Sequence, residues 1–260
     1  ALGCWWPEPA PEVVPGHPDP KVSKVAIRCL EAAVKRVMEQ GGALVTAPLH
    51  KAAWRRAGFR FPGHTEMLGA AAGAQPVMML GSEALRVALV TTHLPLRAAI
   101  EALDETRIVR TVRTVHDALI RFGVARPRLA LLALNPHAGE EGALGDEEIR
   151  ILEPACARLA REGIAVEGPL PADSAFAPAM RARFDAYVAL YHDQGLIPIK
   201  TLAFGESVNL TLGLPFVRTS PDHGTALALA GTGQAQPGGM IAALRCGALL
   251  AAKRWPWAGK

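Results

Sequence analysis

The sequence predicts an α/β protein in which a mainly parallel sheet is covered by helices on both faces. Short apolar strands alternate along the chain with amphipathic helices, which is typical of this class. The 260 residues are enough to bury a sizeable core in one large domain or two small ones. Hydrophobic residues make up 50% and charged residues 20%, which indicates a folded globular chain rather than a disordered one.

The first third shows the pattern clearly. A helix is predicted to begin at Asp19 and Pro20, which suit a helix start, and to end at Gly41 and Gly42. A short buried strand, 43–46, follows directly.

The same alternation continues along the chain. Strand 86–91 precedes a helical stretch, 97–122, that we expect to be broken once. Strand 129–134 precedes a helix for which Asp146 is a plausible cap. The remaining predicted elements are a strand at 164–166, a helix at 175–184, a strand at 186–190, an extended hairpin or arm at 201–218 and a helix at 239–255.

Charge and cysteine usage narrow the function classes. The net charge of +4 is small and scattered, and no basic stripe is interleaved with aromatic residues, so nucleic acid is not the expected partner. A mild positive balance suits small anionic substrates. Cysteines without CxxC spacing predict buried thiols in a reducing cytoplasm. They are Cys4, Cys29, Cys156 and Cys246.

No targeting or membrane segment is predicted. No uncharged run reaches about 18 apolar residues, and 1–20 lacks the basic and apolar regions of a secretory signal. The sequence opens in a proline-rich stretch without an initiator methionine, so we expect that a segment precedes it.

Histidines follow three of the predicted strands. His93 follows strand 86–91, His137 follows 129–134 and His192 follows 186–190. Because the carboxyl ends of parallel strands share one edge of a sheet, we expect the imidazoles to converge and bind a divalent metal. The alternative for each is a hydrogen bond to loop backbone. By the same argument His50, after strand 43–46, is a fourth candidate.

Two aspartates lie near these strand ends. Asp193 follows His192, and Asp173 lies in a proline-rich loop. Either carboxylate suits orienting a ligand histidine, binding the metal or transferring a proton. The alternative for Asp173 is a helix N-cap before 175–184.

Side chains suited to an anion form a further group. Asn209 and Arg218 fall in the predicted extended segment with Lys200 directly before it, and His64 and Thr65 lie in a glycine-flanked loop. Such cations, hydroxyls and amides together predict a phosphate or carboxylate site, the alternative being ordinary solvated charges. The chain lacks GxGxxG, GxxxxGK[ST], HExxH and nucleophile-elbow motifs, so a bound dinucleotide needs another kind of site.

Taken together, longer stretches carry a specific resemblance. The chain resembles the 4-hydroxythreonine-4-phosphate dehydrogenase family of pyridoxal 5′-phosphate biosynthesis. The resembling stretches are VPGHPDP (14–20), 44–68, VTTHLPL (90–96), LNPHAGEEG (134–142), YHDQGLIPIK (191–200) and 207–233.

The resemblance implies an isocitrate/isopropylmalate dehydrogenase-like fold of two α/β domains with α/β/α layers. The expected domains are a cofactor-side domain, 1–60 plus 222–260, and a metal, substrate and dimerisation domain, 61–221. It also implies a homodimer with active sites at the interface. The family's MGDPAGIGPE-like motif is absent here, so we expect the cofactor-side domain to lack its first unit.

The resemblance also assigns roles. It implies a divalent metal (Zn, Mg or Co) on His93, His137 and His192. Implied substrate contacts are His64, Thr65, Lys200, Asn209 and Arg218, and NAD or NADP is expected near Asp222, His223, Gly224 and Thr225. Proton transfer is expected from Lys200, Asp193 or Asp173.

The implied reaction is the metal-dependent oxidation and decarboxylation of 4-phosphohydroxy-L-threonine to 3-amino-2-oxopropyl phosphate. Three alternatives stay open: a dehydrogenase of a four-carbon phosphorylated sugar acid, an inactive binding protein, and a phosphate acyltransferase on a similar fold.

Overall fold

In the described part of the chain, eight strands form a single sheet in the order β1-β8-β7-β2-β3-β6-β4-β5. The computed structural model describes residues 9 and 11–257. The strands are β1 (Ala43–Val45), β2 (Val77–Gly81), β3 (Arg86–Leu89), β4 (Leu129–Leu132), β5 (Val166–Leu170), β6 (Ala186–Ala189), β7 (Val208–Leu212) and β8 (Val217–Pro221).

Helices connect most of the strands. They are α1 (Pro20–Gln40), α2 (Lys51–Arg56), α3 (His64–Ala72), α4 (Leu96–Glu101), α5 (Glu105–Arg121), α6 (Glu153–Arg161), α7 (Ala172–Ala175), α8 (Pro178–Arg181), α9 (His192–Ala203) and α10 (Gly238–Ala251). The predicted caps of α1 are confirmed: the Asp19 side chain accepts from the Lys21 amide, and Gly41 ends the helix with φ 73°.

The sheet is the middle of three layers. Alternate strand residues such as Met79 and Leu131 pack against α5, α6 and α10, and their neighbours Leu80 and Leu132 pack against α7 and α9. Helices α1 to α3 cover the same face as α9 nearer β1, in a cluster that includes Leu44. Since every face of the central strands is buried, the uninterrupted apolar runs are explained, and the predicted α/β/α layering is confirmed.

Strand direction decides which loops meet. Four neighbouring pairs are parallel, and three, all involving β2 or β7, are antiparallel. The strands β3, β6, β4 and β5 run the same way, so their carboxyl ends share one edge, which we call the histidine rim. Three antiparallel pairings separate β1 from β3, so β1 runs in the opposite direction. The prediction that His50 shares this edge as a fourth ligand is therefore wrong, and Nδ1 of His50 instead accepts from the Ala53 amide at the start of α2.

The predicted extended segment 201–218 begins too early. Helix α9 continues to Ala203, so Lys200 is helical, although Gly195 and Pro198 both lower helix propensity. Tertiary packing outweighs propensity here, because a Cβ on Gly195 would lie 2.7 Å from Leu89 Cδ2. Glycine thus lets α9 approach the sheet. The hairpin itself is present as β7 and β8.

Other boundaries also differ from prediction. Instead of one helix over 175–184 there are two short ones, because the residue before Pro178 is disfavoured in a helix. The strand expected at 164–166 is β5, whose Pro169 is tolerated on an edge strand. The predicted break in 97–122 is confirmed as the gap between α4 and α5.

The division into two domains stays a prediction, and the sheet runs through both predicted ranges. Among the described residues, no helix combines the length and hydrophobicity needed to cross a bilayer. Three cysteines in this part of the chain carry free thiols, with Cys246 buried and the other two half-buried. Cys4 lies outside the described residues.

Candidate active site

Two of the predicted ligand histidines meet at the histidine rim. The ring centroids of His93 and His192 are 5.7 Å apart, because β3 and β6 are neighbours in the sheet. Nδ1 of His192 lies 2.7 Å from Oδ1 of Asp193. This contact orients the ring and leaves Nε2 of His192 for another partner.

The electrostatic setting of His93 favours the neutral imidazole. Partial burial lowers its pKa, and the charges of Lys51 and His192 lower it further. A neutral imidazole is the form that binds a metal. Lys51 was not predicted as a site residue.

His137 lies at the same rim, after β4, but on an unusual turn. The turn Pro136–Gly142 holds its central residues in the left-handed region, with φ 51° at His137. Within residues 9 and 11–257, no three His, Cys, Asp or Glu side chains are grouped closely enough to hold a metal ion. The structure therefore brings two of the three predicted ligands together and leaves His137 outside that pair.

A cavity of about 550 Å³ adjoins His93 and contains most of the predicted anion-binding residues. Its lining includes His64, Thr65, Asn209 and Arg218. Arg218 is 5% exposed and donates to Thr211 Oγ1 at 3.0 Å and Thr46 Oγ1 at 2.7 Å. In the described part of the chain no carboxylate forms an ion pair with this guanidinium, and burial lowers its pKa to about 10.

Two buried polar atoms in this cavity, Arg218 Nε and Asn209 Oδ1, find no hydrogen-bond partner among the residues that the structure describes. Leaving such groups unpaired is costly, which indicates that a ligand completes the site. Burial, and then the charge of Arg218, lower the pKa of His64 to about 4, so this imidazole is neutral at physiological pH. The cavity therefore offers one buried cation with neutral donors around it, a setting suited to an anionic group.

The structure places Lys200 elsewhere. Its Nζ lies 3.4 Å from Asp222 Oδ2, and Ser207 Oγ donates to the same oxygen at 3.0 Å. Since Lys200 is eight residues along α9 from His192, about 12 Å of helix separates them. A residue predicted to be catalytic is thus paired with one predicted to bind the cofactor.

A larger cavity of about 860 Å³ lies beside the segment after β8. Its lining includes His223, Gly224 and Thr225 of the predicted cofactor segment, whereas Asp222 faces Lys200. The rest of the lining is mostly small apolar residues and glycines, and the volume suits a small-molecule ligand.

Asp173 also follows a strand of the histidine rim. It is exposed in the first turn of α7, beyond the end of β5. The N-cap alternative is wrong, because α7 begins at Ala172 with Pro171 as its N-cap.

Charged residues that sequence reasoning missed also line the 550 Å³ cavity: Lys51, Glu66, Arg107 and Arg110. Arg107 and Arg110 lie on one face of α5, a spacing that the sequence shows but that does not reveal which cavity the face borders.

Comparison with known proteins identifies the family. The model for "Pyridoxal phosphate biosynthetic protein PdxA" matches residues 6–247. The chain belongs to the PdxA family. The 4-hydroxythreonine-4-phosphate dehydrogenase of Bradyrhizobium diazoefficiens is 51% identical over 92% of this chain and 72% of that protein. The family resemblance predicted from the sequence is thereby confirmed.

Solved structures agree with the PdxA assignment. The Klebsiella pneumoniae 4-hydroxythreonine-4-phosphate dehydrogenase is 41% identical, with a TM-score of 0.86 over 92% of this chain and 73% of that one. A terephthalate 1,2-cis-dihydrodiol dehydrogenase from Burkholderia xenovorans is 30% identical, with a TM-score of 0.72 over 94% and 78%. A β-decarboxylating dehydrogenase from Thermococcus kodakarensis is 14% identical, with a TM-score of 0.51 over 84% and 68%, and shares the fold alone. The predicted fold class is confirmed.

Proposed function

We propose that this chain is a 4-hydroxythreonine-4-phosphate dehydrogenase of pyridoxal 5′-phosphate biosynthesis, located in the cytoplasm. It oxidises and decarboxylates 4-phosphohydroxy-L-threonine to 3-amino-2-oxopropyl phosphate. The observation that carries the proposal is the buried guanidinium of Arg218, whose Nε has no hydrogen-bond partner among the described residues, in a cavity beside the His93 and His192 pair. Membership of the PdxA family and the names of its relatives support the same activity.

The phosphate of the substrate occupies the Arg218 end of the cavity. The guanidinium supplies the charge, and Arg218 Nε, unpaired in the structure, supplies a directed donor. His64 and Thr65 add donors at the start of α3, where helix amides also favour an anion. Lys51, which lines the same cavity and whose charge acts on His93, suits the substrate carboxylate.

A divalent metal (Zn, Mg or Co) belongs at the His93 and His192 pair. Two imidazoles that are close together fit such an ion, and Asp193 orients the ring of His192 through Nδ1. We propose that His137 of a second copy of the chain completes the set, which accounts for its separation from the other two. When bound, the ion would acidify the substrate hydroxyl and stabilise the enolate left when CO2 departs.

The chain's own groups then hold the substrate and move protons. Asp193 and Asp173, at the rim, and Lys200, on α9, are the candidates for the proton transfers. NAD or NADP, the hydride acceptor, occupies the 860 Å³ cavity beside His223, Gly224 and Thr225. The predicted domains, 1–60 plus 222–260 and 61–221, then carry the cofactor and the metal respectively.

The homodimer is formed through the exposed apolar residues of α4 and α9. Phe204, just after α9, is 83% exposed, and Ile197 is 64% exposed. Leu94 and Leu96 extend this apolar surface beside His93. An exposed apolar patch of this kind, next to an incomplete ligand set, supports a subunit interface at the site.

The direct test is NAD(P)H production by the purified protein with 4-hydroxythreonine 4-phosphate. We expect turnover that is abolished by a chelator and restored by added divalent metal. Replacing His137 with Ala should remove both metal and turnover. If the H137A variant keeps its metal and its activity, the proposed ligand set is wrong.

A second candidate substrate is a four-carbon phosphorylated sugar acid, which shares the phosphate and the carboxylate but has no amine. The carboxylate of Glu66 in the cavity favours the amine-bearing substrate, because it offers an ammonium group a partner. Turnover with the two substrates separates the candidates. We expect Glu66→Gln to raise KM for 4-hydroxythreonine 4-phosphate and to leave KM for the sugar acid unchanged.

A further inference from the structure

The carboxylate of Glu148 is buried at the histidine rim without a charged partner. Glu148 is 1% exposed and begins the π-helical turn Glu148–Leu152 that precedes α6. In the described part of the chain, no Lys, Arg or His pairs with it. Its pKa is nevertheless low: burial alone would raise it, but hydrogen bonds from Asn135 and Leu134 outweigh burial.

Those hydrogen bonds bind the segment that carries His137. Oε1 accepts from the backbone amides of Leu134 at 2.7 Å and Asn135 at 2.8 Å, and Oε2 accepts from Asn135 Nδ2 at 2.8 Å. The Ala133 amide still donates to the Leu170 carbonyl of β5 at 2.8 Å, and the carboxylate takes over the next two amides, so strand pairing ends there. A carboxylate that accepts several N–H groups is a strong anchor.

The anchored segment is strained. The residues from His137 to Glu141 all have φ between 45° and 78°, and all but Gly139 are residues that this region disfavours. The left-handed region is unfavourable for L-residues, so the turn persists only where its surroundings enforce it. Gly139 lies directly under the anchor, since a Cβ there would be 2.8 Å from Glu148 Oε2.

The neighbouring strand ends are tied by side chains as well. Gln194 Nε2 donates to the Ala133 carbonyl at 2.6 Å, and Gln194 Oε1 accepts from the Leu190 amide at 2.7 Å. Thr91 Oγ1 donates to the Leu190 carbonyl at 2.7 Å. These bonds link the ends of β3, β6 and β4, each of which precedes one of the three histidines. The backbone that leads into the left-handed turn is instead held by a carboxylate.

We propose that Glu148 is a positioning residue that sets the strained His137 turn and thereby the affinity of the histidine set for metal. The proposal deepens the metal site of the proposed function and rests on it. Glu148 touches neither substrate nor metal and acts through the backbone of Leu134 and Asn135. Removing its charge releases the turn, and His137 then has to be ordered again when the metal binds.

The test is a Co²⁺ titration of the purified full chain, followed by visible absorption, for wild type, Glu148→Gln and His137→Ala. We expect Glu148→Gln to weaken Co²⁺ binding on the order of tenfold and to alter the absorption band, as for other groups that support ligands. Amide hydrogen exchange should show lost protection at Leu134 and Asn135. His137→Ala should remove the site.

Two controls separate positioning from general stability. Leu159→Ala removes a buried side chain from α6 and should lower Tm without changing Co²⁺ affinity. Glu153→Gln removes a neighbouring exposed charge and should change neither. All titrations are run well below the lowest Tm of the set.

The outcomes distinguish the positioning role of Glu148 from the proposed metal site itself. If wild type binds Co²⁺, His137→Ala does not, and Glu148→Gln binds as tightly as wild type, the positioning role is overturned and the metal site stands. If wild type binds no Co²⁺, both fail. If Leu159→Ala weakens binding as much as Glu148→Gln at equal Tm, Glu148 is a stability residue only.

Discussion

The ammonium nitrogen of Lys200 lies 3.4 Å from Oδ2 of Asp222, and Ser207 Oγ donates to the same oxygen at 3.0 Å. This pair joins α9 to the end of β8. Asp222 therefore positions the Lys200 ammonium group, and it also directly precedes His223 of the proposed cofactor cavity.

Replacing Asp222 with Asn tests which role dominates. If Asp222 acts through Lys200, kcat/KM for the substrate should fall on the order of tenfold, equivalent to about 1.4 kcal/mol, with KM for NAD(P) unchanged. Steady-state kinetics of D222N, K200M and the double variant provide the measurement. A rise in the cofactor KM that adds to the effect of K200M would contradict this role.

We expect Arg218 to contribute to substrate binding and to contribute little to the free energy of unfolding. Replacing it with Met should raise KM for the phosphorylated substrate at least tenfold, because the buried cation and its unpaired Nε are lost. The free energy of unfolding should change by less than about 1 kcal/mol. The substitution removes two hydrogen bonds, which destabilises the fold, but it also removes a buried charge, which stabilises it by a similar amount. Calorimetry measures the binding of inorganic phosphate, and chemical denaturation measures the free energy of unfolding. If R218M is strongly destabilised and still binds phosphate, Arg218 serves stability rather than binding.

The low pKa of His64 predicts how stability depends on pH. The pKa falls from 6.5 to about 4 on folding, so the unfolded chain takes up a proton first as the pH drops. The fold should therefore lose stability between about pH 6.5 and pH 4, on the order of 3 kcal/mol from this residue. Denaturation of wild type and His64→Asn across this range should show a shallower slope in the variant. Identical slopes would refute the buried, neutral state of His64.

Close packing at Gly195 predicts a steric effect. Adding a Cβ brings it to 2.7 Å from Leu89 Cδ2, so Gly195→Ala should destabilise the protein by roughly 1–3 kcal/mol through overpacking. Gly238, also helical, has no atom within 4 Å of an added Cβ and is the matched control. Thermal unfolding should show that the free energy of unfolding of G238A lies within about 0.5 kcal/mol of the wild-type value or above it. Equal effects of the two substitutions would argue against tight contact between α9 and the sheet.

The exposed apolar side of α9 predicts the subunit interface. If the proposed homodimer forms here, Phe204→Glu should shift it to monomer in sedimentation and reduce activity, because a charge replaces an aromatic residue that is 83% exposed. Leu244→Glu, on α10 at 52% exposure, is the control and should leave the dimer intact. Dissociation by L244E rather than F204E would place the interface on the other face.

The histidine rim could be predicted because uninterrupted apolar strands and following histidines are both local patterns, and parallel strands align their ends. Helix α9 could not, since Gly195 and Pro198 argue against a helix and only packing against Leu89 shows why they are tolerated. The short apolar strand β2 has no periodicity that distinguishes it from a helical segment.

The anion cavity could be predicted only in part. The residue types of His64 and Asn209 suggest the chemistry, but the burial of Arg218 depends on Thr46 and Thr211, which come from distant parts of the chain. No local pattern reports such a contact. The anchor role of Glu148 was hidden for the same reason, since only the fold aligns its side chain with two backbone amides.

Strand β2 pairs antiparallel with neighbours on both sides, Met79 facing Ala88 in one and Leu210 in the other. The register of β2 therefore fixes the position of the rim that carries His93 relative to β7, the strand that carries Asn209. Losing or gaining a single residue within Val77–Gly81 would turn every later side chain of that strand over and slide one half of the molecule along the other. Length changes in this family should thus be confined to the connecting loops, while these five positions keep their spacing.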